Sequence, residues 1–267
     1  MASRDERLRT VKWRDLVALS RGEIWYEAVI SLPWLAGTLA AWQLAATVHS
    51  AFAAPALICA FFFFLTGLRQ VHNAYHHALG IGRGPTEFTM FALSVAMMSS
   101  MHAIQATHLH HHRHCLDEED VEGSAARRGA WQAVLYGPAF ALRLHRWGWR
   151  LARPRARRWI LAEIVALVGI AAAAMLLDVF PLRAHVATML IGQSFTALFA
   201  VWSVHHDCGP EGWIARTQRG WLKNVVSYDM FHHVEHHLFP GVPTCHLPEL
   251  SRRLDAVAPE YKELSVY

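Results

Sequence analysis

Within residues 229–240, Asp-Met-Phe-His-His-Val-Glu-His-His-Leu-Phe-Pro, four imidazoles fall inside six positions. If this stretch is helical, His233, His236 and His237 project at about 0°, 300° and 40° around the axis, so their ring nitrogens can converge on one point. Converging neutral imidazoles make a metal site. An affinity tag would be terminal and unbroken, whereas Val234 and Glu235 interrupt this run well inside the chain.

Two clusters upstream strengthen that reading. His72 and His76 stand four apart and share a helix face, with His77 about 100° further round. His108, His111 and His112 repeat the spacing of His233, His236 and His237, while His110 and His114 fall outside it. With the pair His205 and His206, these groups hold fourteen of the nineteen histidines. One zinc-like ion takes about four ligands, so this many imidazoles imply two metals. No oxygen-rich carboxylate shell is visible, which disfavours calcium and magnesium, whereas imidazole suits iron, copper, zinc or nickel. The acidic run Asp117–Asp120 is either a solvated face or a source of a carboxylate that accepts from a ligand imidazole.

The rest of the chain explains where these clusters sit. Hydrophobic residues make up 54% of it, and apolar runs at residues 28–48, 51–70, 159–177 and 184–204, interrupted only by Arg69 and Glu163, are each long enough to cross about 30 Å of hydrocarbon as a helix. Residues 86–104 are apolar but studded with Thr, Ser and Met. A full crossing there would put the first two His clusters on opposite sides of the membrane, so this segment is expected to be interfacial or re-entrant. Residues 125–158 carry nine arginines with Trp131, Trp147 and Trp149 interleaved, as a surface helix against a membrane requires. The turns at 49–50 and 178–183 hold one arginine between them. By the positive-inside rule the N-terminus and every His cluster are therefore cytosolic, as in a bacterial inner membrane.

The fold class expected is all-α and integral to the membrane: four transmembrane helices under a cytosolic His-rich di-metal cap (205–267), forming a single domain over 1–267. The net charge of +4 comes from arginines beside apolar segments, so lipid head groups explain it and no nucleic-acid partner is expected. The four cysteines form no CxxC pair, and the charged first 23 residues lack a signal-peptide core.

The boxes His72 to His76, His108 to His112 and His233 to His237 read HxxxH, HxxHH and HxxHH. In that order, with these spans between them, they resemble the integral-membrane fatty acid desaturase and hydroxylase superfamily. The stretch His233-Val-Glu-His-His-Leu-Phe-Pro240 is especially similar to the third box of acyl-lipid desaturases. The resemblance implies a non-haem centre of two Fe ions that uses O₂ as co-substrate to remove hydrogen from an unactivated C–H bond. The ligands and catalytic residues it implies are His72, His76, His108, His111, His112, His233, His236 and His237, with His205 as an additional ligand. His77, His206 and His232 stand one residue away as alternatives. The chain has no His-Pro-Gly-Gly haem motif, so a separate electron donor of ferredoxin, rubredoxin or cytochrome b5 type is expected, with a lipid or acyl substrate drawn from the bilayer. The function read here is a fatty acyl desaturase. A hydroxylase or ketolase of a lipid or carotenoid shares the same scaffold, and a non-catalytic haem- or zinc-binding membrane protein is the reading from another class.

Overall fold

The computed structural model describes residues 5–266. Among them there is no strand, only an isolated bridge between Thr217 and Ser265. Three helices are long and apolar enough to cross a membrane, Arg21–Thr47, Ser50–Tyr75 and Pro154–Leu176, and a fourth crossing is available if a bent pair between Phe180 and His205 counts as one span.

The first crossing unit comprises α1 (Arg21–Val29) and α2 (Leu32–Thr47). The capping box of Ser20 and Glu23 starts it, each side chain bonding the other's backbone N–H. After a turn at His49, α3 (Ala53–Tyr75) runs back against α2. With its opening turn this helix counts 26 residues, about 39 Å, so its last two turns reach past the hydrocarbon. There Glu27 and Arg69, both buried, pair at 2.5 Å, and Asn73 Nδ2 donates to the other Glu27 oxygen. The helix ends at Tyr75, and His77 turns out with φ of 56°.

The segment expected at 86–104 as one interfacial or re-entrant helix is two: α4 (Arg83–Met97) and α5 (Met101–His114). At 15 and 14 residues each is only about 21–23 Å long, too short to cross. Met98 breaks them apart with φ of 56°, and buried polar groups fill the break. Glu163, the one acid in α7 (Pro154–Leu176), accepts from Ser94 Oγ at 2.6 Å, Ser100 Oγ at 2.5 Å and His102 Nδ1 at 2.5 Å. An acid in an apolar span is thus the anchor of the turn that sends α5 back.

Residues 184–204 are not one continuous helix either. α8 (Phe180–Gln193) stops, the chain bends by 42°, and a π-helical turn, Ala197–Trp202, leads into α9 (Ser203–His205). Gln193 and Ser194, the polar pair in this run, sit at the bend: Gln193 Nε2 donates to the Met97 carbonyl at 2.7 Å, tying it to the α4 break. The amphipathic, arginine-rich helix α6 (Ala130–Leu151) crosses here with Gly137 against the Ser194 backbone. A β-carbon on Gly137 would lie 1.6 Å from the Ser194 oxygen. Three short helices finish the chain, α10 (Trp221–Val226), α11 (His233–Leu238) and α12 (Leu247–Val257). Val234, Leu250 and Leu254 bury against Val11 and Leu16 of the N-terminal segment.

Candidate metal centre

Four elements deliver the histidines to one place: the overhanging end of α3, all of α5, the end of α9 and the short α11. In α11 the third box is helical, and Glu235 between its histidines points away from them. It is fully buried, accepting from Thr217 Oγ1 at 2.7 Å and Arg219 Nη2 at 2.6 Å. Burial raises the pKa of Glu235, and the Arg219 charge opposes this. The carboxylate thereby sets the rotation of α11, so that His236 and His237 face the cluster. Arg219→Ala leaves that carboxyl buried with no charge partner and only Thr217 Oγ1 as a donor, a loss of roughly 2–4 kcal/mol with allowance for the partial exposure of Arg219. Thermal unfolding in detergent measures it, and an unchanged melting temperature would mean that α11 is held by other contacts.

The imidazoles form two adjoining groups. Ligand nitrogens of His72, His76, His108 and His236 lie within 4.8 Å of one another, and His112 Nε2 joins them at 3.1 Å from His108 Nε2 and 2.9 Å from His236 Nε2. In the second group His111 Nε2 is 3.2 Å from His205 Nε2 and 3.3 Å from His237 Nε2. His233 Nε2 closes it at 3.0 Å from His205 Nε2 and 3.2 Å from His237 Nε2. Burial pushes His108, His233, His236 and His237 well below the ordinary histidine pKa, so these rings are neutral and offer lone pairs.

The donor set fits cations. His111 Nδ1 lies 2.7 Å from Asp120 Oδ2, and His205 Nδ1 lies 2.8 Å from the Ile214 carbonyl. Both partners only accept, so the network assigns the ring proton to each Nδ1 and leaves two bare Nε2 lone pairs facing each other at 3.2 Å. A positive ion between them turns that repulsion into ligation. His108 Nδ1 lies 3.0 Å from Glu122 Oε1, which accepts in the same way when that carboxyl is ionised. Burial lifts Glu122 to about 7, and its second oxygen has no protein partner. Cys115 adjoins the second group, but burial drives its thiol pKa far up, which disfavours the thiolate that metals bind.

His77, His206 and His232 join neither group. His77 is exposed, His206 Nδ1 meets the Trp202 carbonyl at 2.9 Å, and His232 Nε2 meets Asn224 Nδ2 at 3.1 Å. His110 and His114 stack on each other beside Glu119, away from both groups. Asp120 belongs to the acidic run whose carboxylates were candidates for this role. Glu122 was missed, because only the left-handed turn at Leu116 (φ of 64°) folds it back over α5.

Two cavities approach the histidines. One, of about 500 Å³, is walled by Phe64, Leu68, Met101, Phe140 and Val201 and reaches His72, His108 and His233, members of both groups. The other, of about 730 Å³, lies among Arg9, Arg14 and Arg113 and touches His112 and His237.

Comparison with known proteins agrees with this architecture. The chain is 29% identical over 242 residues to a beta-carotene ketolase from a Paracoccus species, covering 82% of this chain and 91% of that protein. Residues 48–264, which include every clustered histidine, match the family described as fatty acid desaturase, and the chain accordingly belongs to the fatty acid desaturase family, whose members are membrane oxidoreductases of the desaturase and hydroxylase type.

Proposed function

We propose that this protein is an O₂-dependent oxidoreductase that desaturates a fatty acyl chain at two iron ions held by nine histidines. His72, His76, His108, His112 and His236 would hold one ion, and His111, His205, His233 and His237 the other. The observation that carries this reading is the apolar cavity that ends on histidines of both groups. A metal carrier has no use for an apolar dead end, and a bis-histidine haem site would pair rings across a porphyrin instead of packing nine of them 3 Å apart.

Bound iron supplies O₂ activation and the one-electron steps. The chain's own groups do the remainder. Asp120, Glu122 and the Ile214 carbonyl hold protons on Nδ1 and so aim each Nε2 inward. Phe64, Leu68, Val71 and Phe140 keep water from the methylene to be oxidised. Desaturation consumes O₂, two electrons and two protons and releases two waters, so a separate donor of ferredoxin, rubredoxin or cytochrome b5 type is required. The N-terminus and the His-rich end would face the cytosol, where that donor is found. The whole chain would act as one membrane-embedded domain.

A second reading, insertion of a keto group into a carotenoid, is favoured by the likeness to the ketolase over nearly the whole of that protein. Both are tested by expressing the chain in cells that contain acyl lipids and β-carotene, then extracting lipids for mass spectrometry. An acyl species two hydrogens lighter supports the desaturase. A carotenoid that gains oxygen and loses two hydrogens supports the ketolase, and a species that gains only one oxygen supports a hydroxylase. Unchanged lipids in the presence of a competent donor would overturn all three.

A further inference from the structure

The segment expected as part of a polar cytosolic cap contains a helix built the wrong way round for water. On α10, Trp221 is 75% exposed, Leu222 58%, Val225 62% and Val226 48%. These four form one face, at positions i, i+1, i+4 and i+5. Of the polar residues, Lys223 is exposed, but Asn224 faces inward, its Nδ2 donating to the Gln218 carbonyl at 3.0 Å and meeting His232 Nε2 at 3.1 Å, and Ser227 just after the helix is buried as well. In water this arrangement exposes apolar surface and buries amides, both unfavourable.

The helix is also tied to the crossing helices. Trp34 Nε1, in the first turn of α2, donates to Tyr228 Oη at 3.0 Å, and Phe62 of α3 stands 6.4 Å from the Tyr228 ring. Tyr228 and Asp229 hold this junction in left-handed conformations, with φ of 53° and 64°, strain that only a fixed docking sustains. The exposed face of α10 thus continues the apolar surface of the spans. The same helix walls the substrate cavity: Leu222 and Val226 line it opposite Phe61 and Phe199, two span residues that are themselves half exposed. Along α3 the lining residues Phe61, Phe64, Leu68 and His72 fall on one stripe, so the cavity runs about 16 Å from the depth of the span to the histidines.

We infer that α10 lies in the bilayer at the boundary of head groups and acyl chains, and that its edge is the doorway through which substrate leaves the lipid for the cavity. Trp221 sits at this interface as an anchor. The partner is the lipid bilayer itself. This doorway rests on the proposed lipid oxidation, but the position of the helix does not.

The test separates the two. Protein in nanodiscs of phosphatidylcholine brominated on its acyl chains is compared with protein in unbrominated discs, and the Trp221→Phe variant gives the contribution of Trp221 by difference. Bromine is expected to quench most of that contribution, and aqueous iodide little of it. Trp221 emission quenched by iodide and untouched by bromine overturns the inference, whatever the activity. Val225→Asp, outside the cavity, should raise KM for bilayer-dissolved substrate about tenfold while kcat and metal content stay as in the parent. Val225→Leu should restore KM. An unchanged KM in the aspartate variant removes the doorway role, and quenching by bromine without any lipid product would leave α10 in the membrane and overturn the proposed reaction instead.

Discussion

Alanine at His236 and alanine at His237 are expected to empty different metal positions, although the two residues are neighbours in the chain. His236 Nε2 stands 2.9 Å from His112 Nε2 in one group, and His237 Nε2 stands 3.3 Å from His111 Nε2 in the other. Each purified variant should therefore contain about one iron per chain where the parent, on the proposed assignment, is expected to contain two. Turnover should fall in both by more than the roughly 10–100-fold that follows loss of an outer hydrogen-bond partner. Elemental analysis of detergent-solubilised protein, paired with product assays, reads both effects. Two irons retained in either variant, or full activity, would show that the imidazole contributes no ligand. Asp120→Asn is the graded counterpart: His111 keeps its place but loses its carboxylate acceptor, and iron affinity should drop about 10–100-fold.

The second large effect is expected away from the clustered histidines. At Gly137 a methyl group would meet the Ser194 backbone oxygen at 1.6 Å. Backbone cannot rotate away as a side chain can, so Gly137→Ala must push α6 from the bend that follows α8. A cost of at least about 3 kcal/mol is expected, at the upper end of overpacking penalties. Because that bend sets the position of the π-helical turn and of His205 beyond it, the second metal position should lose occupancy before the first. Gly169→Ala is the control. Its added β-carbon meets nothing within 4 Å, and stability should hold or rise by up to about 1 kcal/mol. Thermal unfolding with iron content measures both, and a Gly137→Ala protein as stable as the parent would refute backbone-to-backbone packing at this crossing.

Much of this could be read from residues in order. Spacing alone brought His233, His236 and His237 to one side of a helix, because helical geometry is local, and the apolar runs announced their helices because apolar length is local too. The breaks were not legible in that way. Residues 86–104 and 184–204 are apolar enough to read as unbroken helices, and what interrupts them comes from elsewhere: Glu163 and its three donors at one break, the close approach of Gly137 at the other. Likewise α10 looked like part of a polar segment, since its six residues, Lys223 among them, are too few to stand out after Arg216 and Arg219.

By itself, then, the sequence determined the chemistry available: how many imidazoles there are, their spacing within each box, the need for a membrane, and the family. Pairing was left to the tertiary structure. His236 and His237, adjacent in the chain, go to different groups, while His111 and His205, 94 positions apart, stand 3.2 Å from each other. Local helical geometry cannot decide this, because it depends on where α3, α5, α9 and α11 end relative to one another. Those ends are fixed by buried contacts across long sequence separations, Glu27 with Arg69, Glu163 with the α4–α5 turn and Glu235 with Arg219. Each is a charge that apolar surroundings allow in only one place.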